Sequence, residues 1–581
     1  MNARHRLILW LLAGILLWTV RGSITPPGQA QSTYYVATDG SDDTGNGSSG
    51  APWATITHAL DSVPDGSTIL VRPGAYNGLV RLRGQFSQGV VVRSETPYQA
   101  RLRHSSTVVT CFYGQGITLE GFDIAHSGPG AGALVIQIQD LIDGSERVSR
   151  IVLRNNILHD SYNNDILKIN NGASDILIEG NVFYNQAGSD EHIDINSVTN
   201  VVVQDNIFFN DFAGSGRSDD DTSSFIVIKD SNEGDDDQWG SEHITVRRNV
   251  FAHWEGSSGQ GFVRAGEDGQ SFYEARDVLI ENNLMIGNNT MQIRSPFQMM
   301  NVYSVTVRAN TVVGNMPAKE FGARIFTYGT GAPTNDQIHL HNNIWADPTG
   351  TMGDTFNRGN NTVNLTFDCN LFWNAGNPFP TSSESIIEVT DDIHRVVGDP
   401  LLGDQSGLVL PRWNPGTSQF ADGSSTIEEA FRRLVILYGT PAAGSPAIDA
   451  ADPVYMPAED ILGNGRTLPD IGAVEFVPPL ALNAAPADRS IRLTWSVNTL
   501  VPVTATWRIT YVGPTGDQPS PVTGIISPTR AFTLTGLTNY TLYTMTLNAM
   551  VGSTPSLTDT VTAMPTDIWV YLPVVLKQFG Q

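Results

Sequence analysis

The chain has 581 residues, of which 56 are Gly, 32 are Pro and only 16% are charged. It is too long for one ordinary compact domain, and its composition suits a turn-rich β protein better than a helical one. The formal net charge of −25 argues against nucleic acid as a partner, because phosphate binding calls for basic patches.

In chain order, the first feature is Arg4 and Arg6 ahead of an apolar run from Leu7 to Val20, with small residues up to Ala30. Residues 1–30 read as an export signal, with "GQA" before Gln31 as the cleavage site. Export sets the expected location as secreted or at the extracellular surface. The apolar run is short for a bilayer, and no later segment is long and apolar enough to span one.

A motif then recurs: three β-favouring residues, two variable ones, then Asn. It appears as "IVLRNNI", "ILIEGNV", "VVVQDNI", "ITVRRNV", "VLIENNL", "VTVRANT", "IHLHNNI" and "LTFDCNL". The Asn positions are Asn156, Asn181, Asn206, Asn249, Asn283, Asn310, Asn343 and Asn370, spaced by 25, 25, 43, 34, 27, 33 and 27. "ITLEGFD" reads as an earlier copy with Phe122 in the Asn position. Alternation within each copy means strand, and a period near 25 that tolerates insertions means a solenoid of stacked parallel strands. A propeller would need four strands per repeat, and the short copies leave no room for them. Asn tolerates left-handed backbone, so it is expected to turn the corner after each strand, and stacked Asn side chains can bond from coil to coil. Cys111 and Cys369 should lie many coils apart and unbonded, as small buried hydrophobes.

The segment "YYVATDGSDDTGNGSSGAPWATITHALDSVPDGSTILVRPGAYNG" resembles the opening of secreted right-handed parallel β-helix proteins of the pectin-lyase-like superfamily. On that resemblance "WATITHALDSV" is a capping helix and "STILVRPGAYNG" the first coil. "GSPAIDAADP" with "GNGRTLPDIGAVE" resembles the superfamily's closing segment, so the β-helix would occupy residues 31–476. The superfamily includes lyases, hydrolases, epimerases and non-catalytic adhesins, so the fold alone implies no activity. Residues 478–565 resemble a fibronectin type III sandwich, with Trp495, Leu537 and Tyr543 in its core positions. Residues 566–581 form an apolar tail too short to cross a bilayer.

The repeat also writes one small pattern twice, as "DILKIN" and "EHIDIN". Alternation points Leu167, Ile169, Ile193 and Ile195 inward, and Lys168, Asn170, Asp194 and Asn196 outward. In the next coil, "FIVIKD", Lys229 falls beside Asn196. In "FVRAGED", Arg264 falls in the Lys168 column. Asp165, Asp190 and Glu191 sit at turns, where parity does not fix direction. Carboxylates this close repel unless cations intervene, and a Ca²⁺ ion takes six to eight hard oxygen ligands. The plain alternative is a solvated face of salt bridges and ladders.

This patch resembles the catalytic region of calcium-dependent pectate lyases that carry Asp on one coil, Asp-Asp-x-x-Asp on the next and a Lys beyond. The resemblance implies Asp165, Asp190, Glu191 and Asp194 as calcium ligands and Lys229 as the Brønsted base, with Lys168 or Arg264 as the next candidates. Glu191 departs from the pattern, and His192 is expected to narrow the subsite. The implied reaction is β-elimination on an acidic polysaccharide by a monomeric enzyme. The competing readings are a non-catalytic glycan-binding or adhesion protein, and a hydrolase or epimerase. Asp219–Asp221 and Asp235–Asp237, in an inserted loop, read either as soluble charge or as a cation site. Trp239, Trp254, Phe272 and Tyr273 read as sugar-stacking or packing aromatics.

Overall fold

The computed structural model describes residues 32–567, apart from 142–146, 189, 219–220, 233, 235, 237, 257–260, 289, 359–361, 382–386, 498–500, 502–503 and 514–520. The segment read as an export signal therefore lies outside the described residues, as does nearly all of the apolar tail. Parallel strands form a 20-stranded and a 12-stranded sheet. The larger sheet is two columns side by side, joined near the N-terminal end by the long strands Val80–Ser94 and Val109–Glu120, which run through both. Each coil thus has three strand positions. A coil reads, for example, Leu167–Asn170, then Ser174–Glu179, then Val182–Gln186.

Strand alternation fills the interior. Ile, Val and Leu from all three columns meet in one continuous core, and Phe183, Phe208 and Phe251 stack with ring centroids 4.9 Å apart at each step. The helix Ile56–Ser62 begins at Thr55, whose hydroxyl accepts from the His58 N–H, and buries Ile56, Ala59 and Leu60 in that core. Cys111 and Cys369 are unbonded; Cys111 is buried and Cys369 half-buried.

The Asn column is a hydrogen-bonded ladder. The Asn181 Oδ1 accepts from both the backbone N–H and the Nδ2 of Asn156, at 2.9 and 3.1 Å. Asn206 does the same for Asn181, and the pattern repeats through Asn249, Asn283, Asn310, Asn343 and Asn370. Each Nδ2 also donates to a main-chain carbonyl, as Asn181 does to Leu153. Asp392 closes the ladder by accepting from the N–H and Nδ2 of Asn370.

One expectation needs correcting. The ladder residues are not left-handed; the residue before each of them is. Asn155, Gly180, Asp205, Arg248, Asn282, Ala309, Asn342 and Cys369 all have φ between 51° and 65°. The left-handed residue turns the chain, and the turn aims the following Asn side chain into the corner, where its amide must be fully bonded.

Residues 396–476 do more than close the helix. They run back along the outer face of the 12-stranded sheet. Trp413 and Phe420 pack on Tyr98, and the helix Ile427–Leu434 with Ile461, Ile471 and Ala473 covers the apolar outward residues of that sheet. The corner residues Asn282 and Asn342 donate from Nδ2 to the carbonyls of Glu459 and Asp452 in this segment. That face is therefore occupied.

Past residue 478 the strands are antiparallel. Three strands (Leu480–Ala487, Ser490–Val497, Ala531–Thr535) face four (Val522–Ile526, Thr506–Val512, Tyr543–Val551, Thr554–Ala563). Trp495, Leu537 and Tyr543 are in their shared core, and the Tyr543 hydroxyl accepts from the Thr538 N–H at 3.0 Å. No helix among the described residues is long and apolar enough to cross a membrane.

Asn206→Ala would strand the N–H and Nδ2 of Asn181 in the core. A buried donor without an acceptor costs about 1–3 kcal/mol. Denaturant unfolding should show a loss of about 2–4 kcal/mol.

Candidate functional site

The outward positions of the first strand column carry the charged residues. Register aligns Gln137, Lys168, Asp194, Val227, Arg264, Gln298 and Arg324 in one row across successive coils. A second row aligns Asn170, Asn196 and Lys229. The sequence places Lys168 beside Asp194, Lys229 beside Asn196 and Arg264 in the Lys168 column, and the structure has each pairing.

At the start of the column, Asp165, Asp190 and Glu191 each present an oxygen, and the three oxygens lie within 4.8 Å of one another. Local structure explains this. Asp165 ends the turn before its strand and accepts from the Glu191 N–H at 3.0 Å. That bond ties the two coils together at their entrance. Asp194 is the fourth acid of the sequence pattern and stands slightly apart from the trio. Its Oδ2 accepts from the Lys168 ammonium, and its Oδ1 is buried with no hydrogen-bond partner among the described residues.

The carboxylates are under electrostatic stress. Burial first, then the charge of Asp194, pushes the Asp165 carboxyl up to about 7, against the pull of Lys168. Burial, then Asp165, Glu267 and Asp194, raises Glu191 well above the usual carboxylate range. Burial also raises Asp190. Buried hard oxygens that repel one another, together with an unpaired Asp194 oxygen, fit a divalent cation such as Ca²⁺.

The lysines lie beside this group. Burial works against the Lys229 charge, but Asp194, Glu267 and Asp268 outweigh it and hold the ammonium above the ordinary lysine value. Lys168 behaves in the same way: burial opposes its charge, and Asp194 and Asp165 overcome it. Lys229 pairs with Glu267, and Arg264 donates from Nη1 to the same carboxylate at 2.9 Å. Glu267 and Asp268 are held in place by Glu274. This buried carboxylate accepts from the N–H groups of Glu267, Asp268, Gly269 and Gln270 at 2.6–3.1 Å.

Sequence reasoning missed Glu267 and Glu274. Glu267 stands in the quoted "FVRAGED", but it lies beyond the strand, where alternation gives no direction. His192 is a correction. It does not narrow any outer subsite, because it turns into the core against Phe225 and Phe208, bonded through Nε2 to Asn210 Oδ1 at 2.9 Å. Two consecutive inward residues, His192 and Ile193, mark the corner where the alternation resets and leave Glu191 facing outward. Burial pulls the His192 imidazole down to about 3, so it stays neutral.

The inserted acidic loop serves local needs where it is described. Asp221 accepts from the Gly188 N–H, and Asp236 accepts from Gln238 and Asn232. Asp219, Asp220, Asp235 and Asp237 lie outside the described residues. Trp254 is buried between Phe225 and Phe262, whereas Trp239 is exposed and meets Phe272 edge-on at 5.1 Å.

No protein-family model and no curated protein matches this chain. Solved structures similar to this chain include the pectate lyase Pel9A, 15% identical with a TM-score of 0.46, over 77% of this chain and 97% of that one. A rhamnogalacturonan lyase is 13% identical with a TM-score of 0.37, over 58% and 84%. The PL6 family alginate lyase AlyGC is 12% identical with a TM-score of 0.33, over 68% and 57%.

The raised Asp165 carboxyl yields a stability prediction. A carboxyl whose folded pKa is raised favours the folded state below its unfolded value near 4 and loses that contribution as pH rises through its folded value of about 7. In chelator, Asp165→Asn should therefore melt higher than wild type at pH 8, with the advantage fading toward pH 4. Added calcium should reverse the order at pH 8, because only wild type keeps the full ligand set. Thermal melts across pH, with and without calcium, read both effects.

Proposed function

We propose that this protein acts on an acidic polysaccharide by calcium-assisted β-elimination, on the outer face of its first strand column. The observation that carries the reading is the convergence of Asp165, Asp190 and Glu191, with an unpaired Asp194 oxygen beside them and a lysine one coil further on. Asp165, Asp190, Glu191 and Asp194 would hold the ion. Calcium, when bound, withdraws charge from a uronate carboxylate and so acidifies the neighbouring C5 proton.

The protein's own residues supply the rest. Lys229 takes the C5 proton. The electron pair left behind forms the C4–C5 double bond, the C4–O bond to the leaving sugar breaks, and the leaving oxygen is protonated by water. To act as a base Lys229 must be neutral, yet Glu267, Asp268 and Asp194 favour its ammonium. Arg264 shares Glu267 with Lys229 and so limits how strongly that carboxylate holds the lysine's proton. Lys168 is engaged by Asp194 and holds that carboxylate in place. A protein of this kind works outside the cell, in keeping with the export-like residues 1–30. The C-terminal sandwich, a fibronectin type III-like module in this reading, would space or attach the β-helix.

The paired state of both lysines favours a second reading, a non-catalytic glycan-binding face. Ultraviolet absorbance of the unsaturated product separates the two. A panel of uronans is incubated with calcium and with chelator. Absence of elimination on every uronan would refute the lyase reading and favour the binding role.

Lys229→Ala should abolish elimination and leave calcium affinity nearly unchanged, whereas Asp194→Asn should lose both together. The neutral amine grows as pH rises, so the initial rate should climb with pH. Glu267→Gln removes one charge that holds the proton and should move that rise to lower pH. An unmoved profile in the Glu267→Gln protein would remove Lys229 from the base role.

A further inference from the structure

Beyond Asp194 the first outward row continues through Val227 to Arg264, Gln298 and Arg324, one residue per coil. Gln298 projects between the inward Phe297 and Met299, so its carboxamide faces outward. It is only 2% exposed, yet neither its Oε1 nor its Nε2 has a hydrogen-bond partner among the described residues. An unsatisfied buried amide is expensive and calls for a reason.

The neighbours are cationic and under-neutralised. Arg294, on the turn that leads into the Gln298 strand, donates to Glu320 at 2.9 Å, and its Nε has no partner. Arg324 makes no ion pair among the described residues. Its guanidinium lies over the Phe326 ring, 3.7 Å from the centroid, and its Nε is also unpartnered. Burial first, and then the nearby Arg294 charge, pulls Arg324 down to about 10, with Glu320 opposing. Two guanidiniums and a carboxamide thus hold buried donors without partners among the described residues, and Glu320, which pairs with Arg294, keeps one oxygen unpartnered beside them. Stacking on Phe326 fixes the plane of one fork.

We infer that Arg324, Arg294 and Gln298 form an anion-binding subsite that takes the carboxylate of a further uronate residue of a polysaccharide lying along the helix axis. The row sets the separation. From Asp194 to Gln298 is three coil steps of about 4.8 Å, or about 14 Å, so the subsite holds a residue of the same chain distant from the reacting bond. A bidentate guanidinium–carboxylate bond suits Arg324, and the Gln298 amide can turn to donate Nε2 to the same group. This identification of the ligand rests on the uronan reading above; the unused donors stand independently of it.

The test is binding, measured apart from turnover. Hexamers of galacturonate, mannuronate, guluronate and glucuronate, and their carboxyl-reduced counterparts, are titrated calorimetrically into the full chain in chelator. At least one acidic hexamer should bind and its reduced form should not. Arg324→Ala should weaken that binding about tenfold or more, as expected when a charge-assisted hydrogen bond is lost. Gln298→Leu should also weaken it while melting no lower than wild type, because the change removes an unpaired amide at similar volume; this variant guards against a loss caused by misfolding. Unchanged affinity in both variants, or no binding of any acidic hexamer to wild type, overturns the subsite. Binding that depends on Arg324 in a protein that eliminates nothing would keep the subsite and refute the lyase reading. Elimination with unchanged binding in both variants would do the reverse.

Discussion

The molecule depends on a line of buried amides at one corner. Each ladder Asn from Asn181 onward accepts two hydrogen bonds from the coil before it and returns its own Nδ2 to a main-chain carbonyl. A slip of one residue would leave these groups unpaired in the core, at a cost of a few kcal/mol per rung. The ladder therefore fixes register, and register determines everything built on the outer faces. Lys168 meets Asp194, and Asn196 meets Lys229, because Asn156, Asn181, Asn206 and Asn249 hold their coils in step. Asp392 shows how such a ladder ends: where no further Asn follows, a carboxylate supplies the last acceptor.

On that fixed frame the site accepts an electrostatic penalty that a purely structural surface would avoid. Asp165 and Glu191 are buried, face each other's charge, and have raised pKa values. An exposed salt bridge would add little either way. Here the groups are buried, so the repulsion is poorly screened and is relieved by carboxyls that hold their protons to higher pH, or by a cation. The two lysines answer the negative charge only in part, and Glu267, pinned by Glu274, draws Lys229 and Arg264 to one point. Along the row the charge passes from the Lys168–Asp194 pair to the guanidiniums of Arg264 and Arg324.

The two outer faces have different roles. The 12-stranded sheet is apolar outside and is covered by residues 396–476, which bury Trp413, Phe420 and the helix Ile427–Leu434 against it. The first strand column is polar outside. The outer face of the 12-stranded sheet is thus used for stability, while the other two columns keep polar and charged outward residues.

The sequence by itself determined the repeat, the strands and the register of Lys168, Asp194, Lys229 and Arg264. These follow from a period of two within strands and from one Asn in every coil, both of which are local. It did not determine what happens at turns. Asp165, Asp190 and Glu191 converge because the Asp165 carboxylate bonds the Glu191 backbone in the next coil. His192 goes inward because the alternation resets at a corner, and the left-handed residue falls one place before the expected Asn because the turn must precede the side chain it aims. Glu267 reaches Lys229, and Gln298 is left unpaired between two arginines, only after coils with different insertions are stacked. Alternation fixes direction within a strand; beyond its ends the backbone path is set by bonds between coils, and only the tertiary structure contains those.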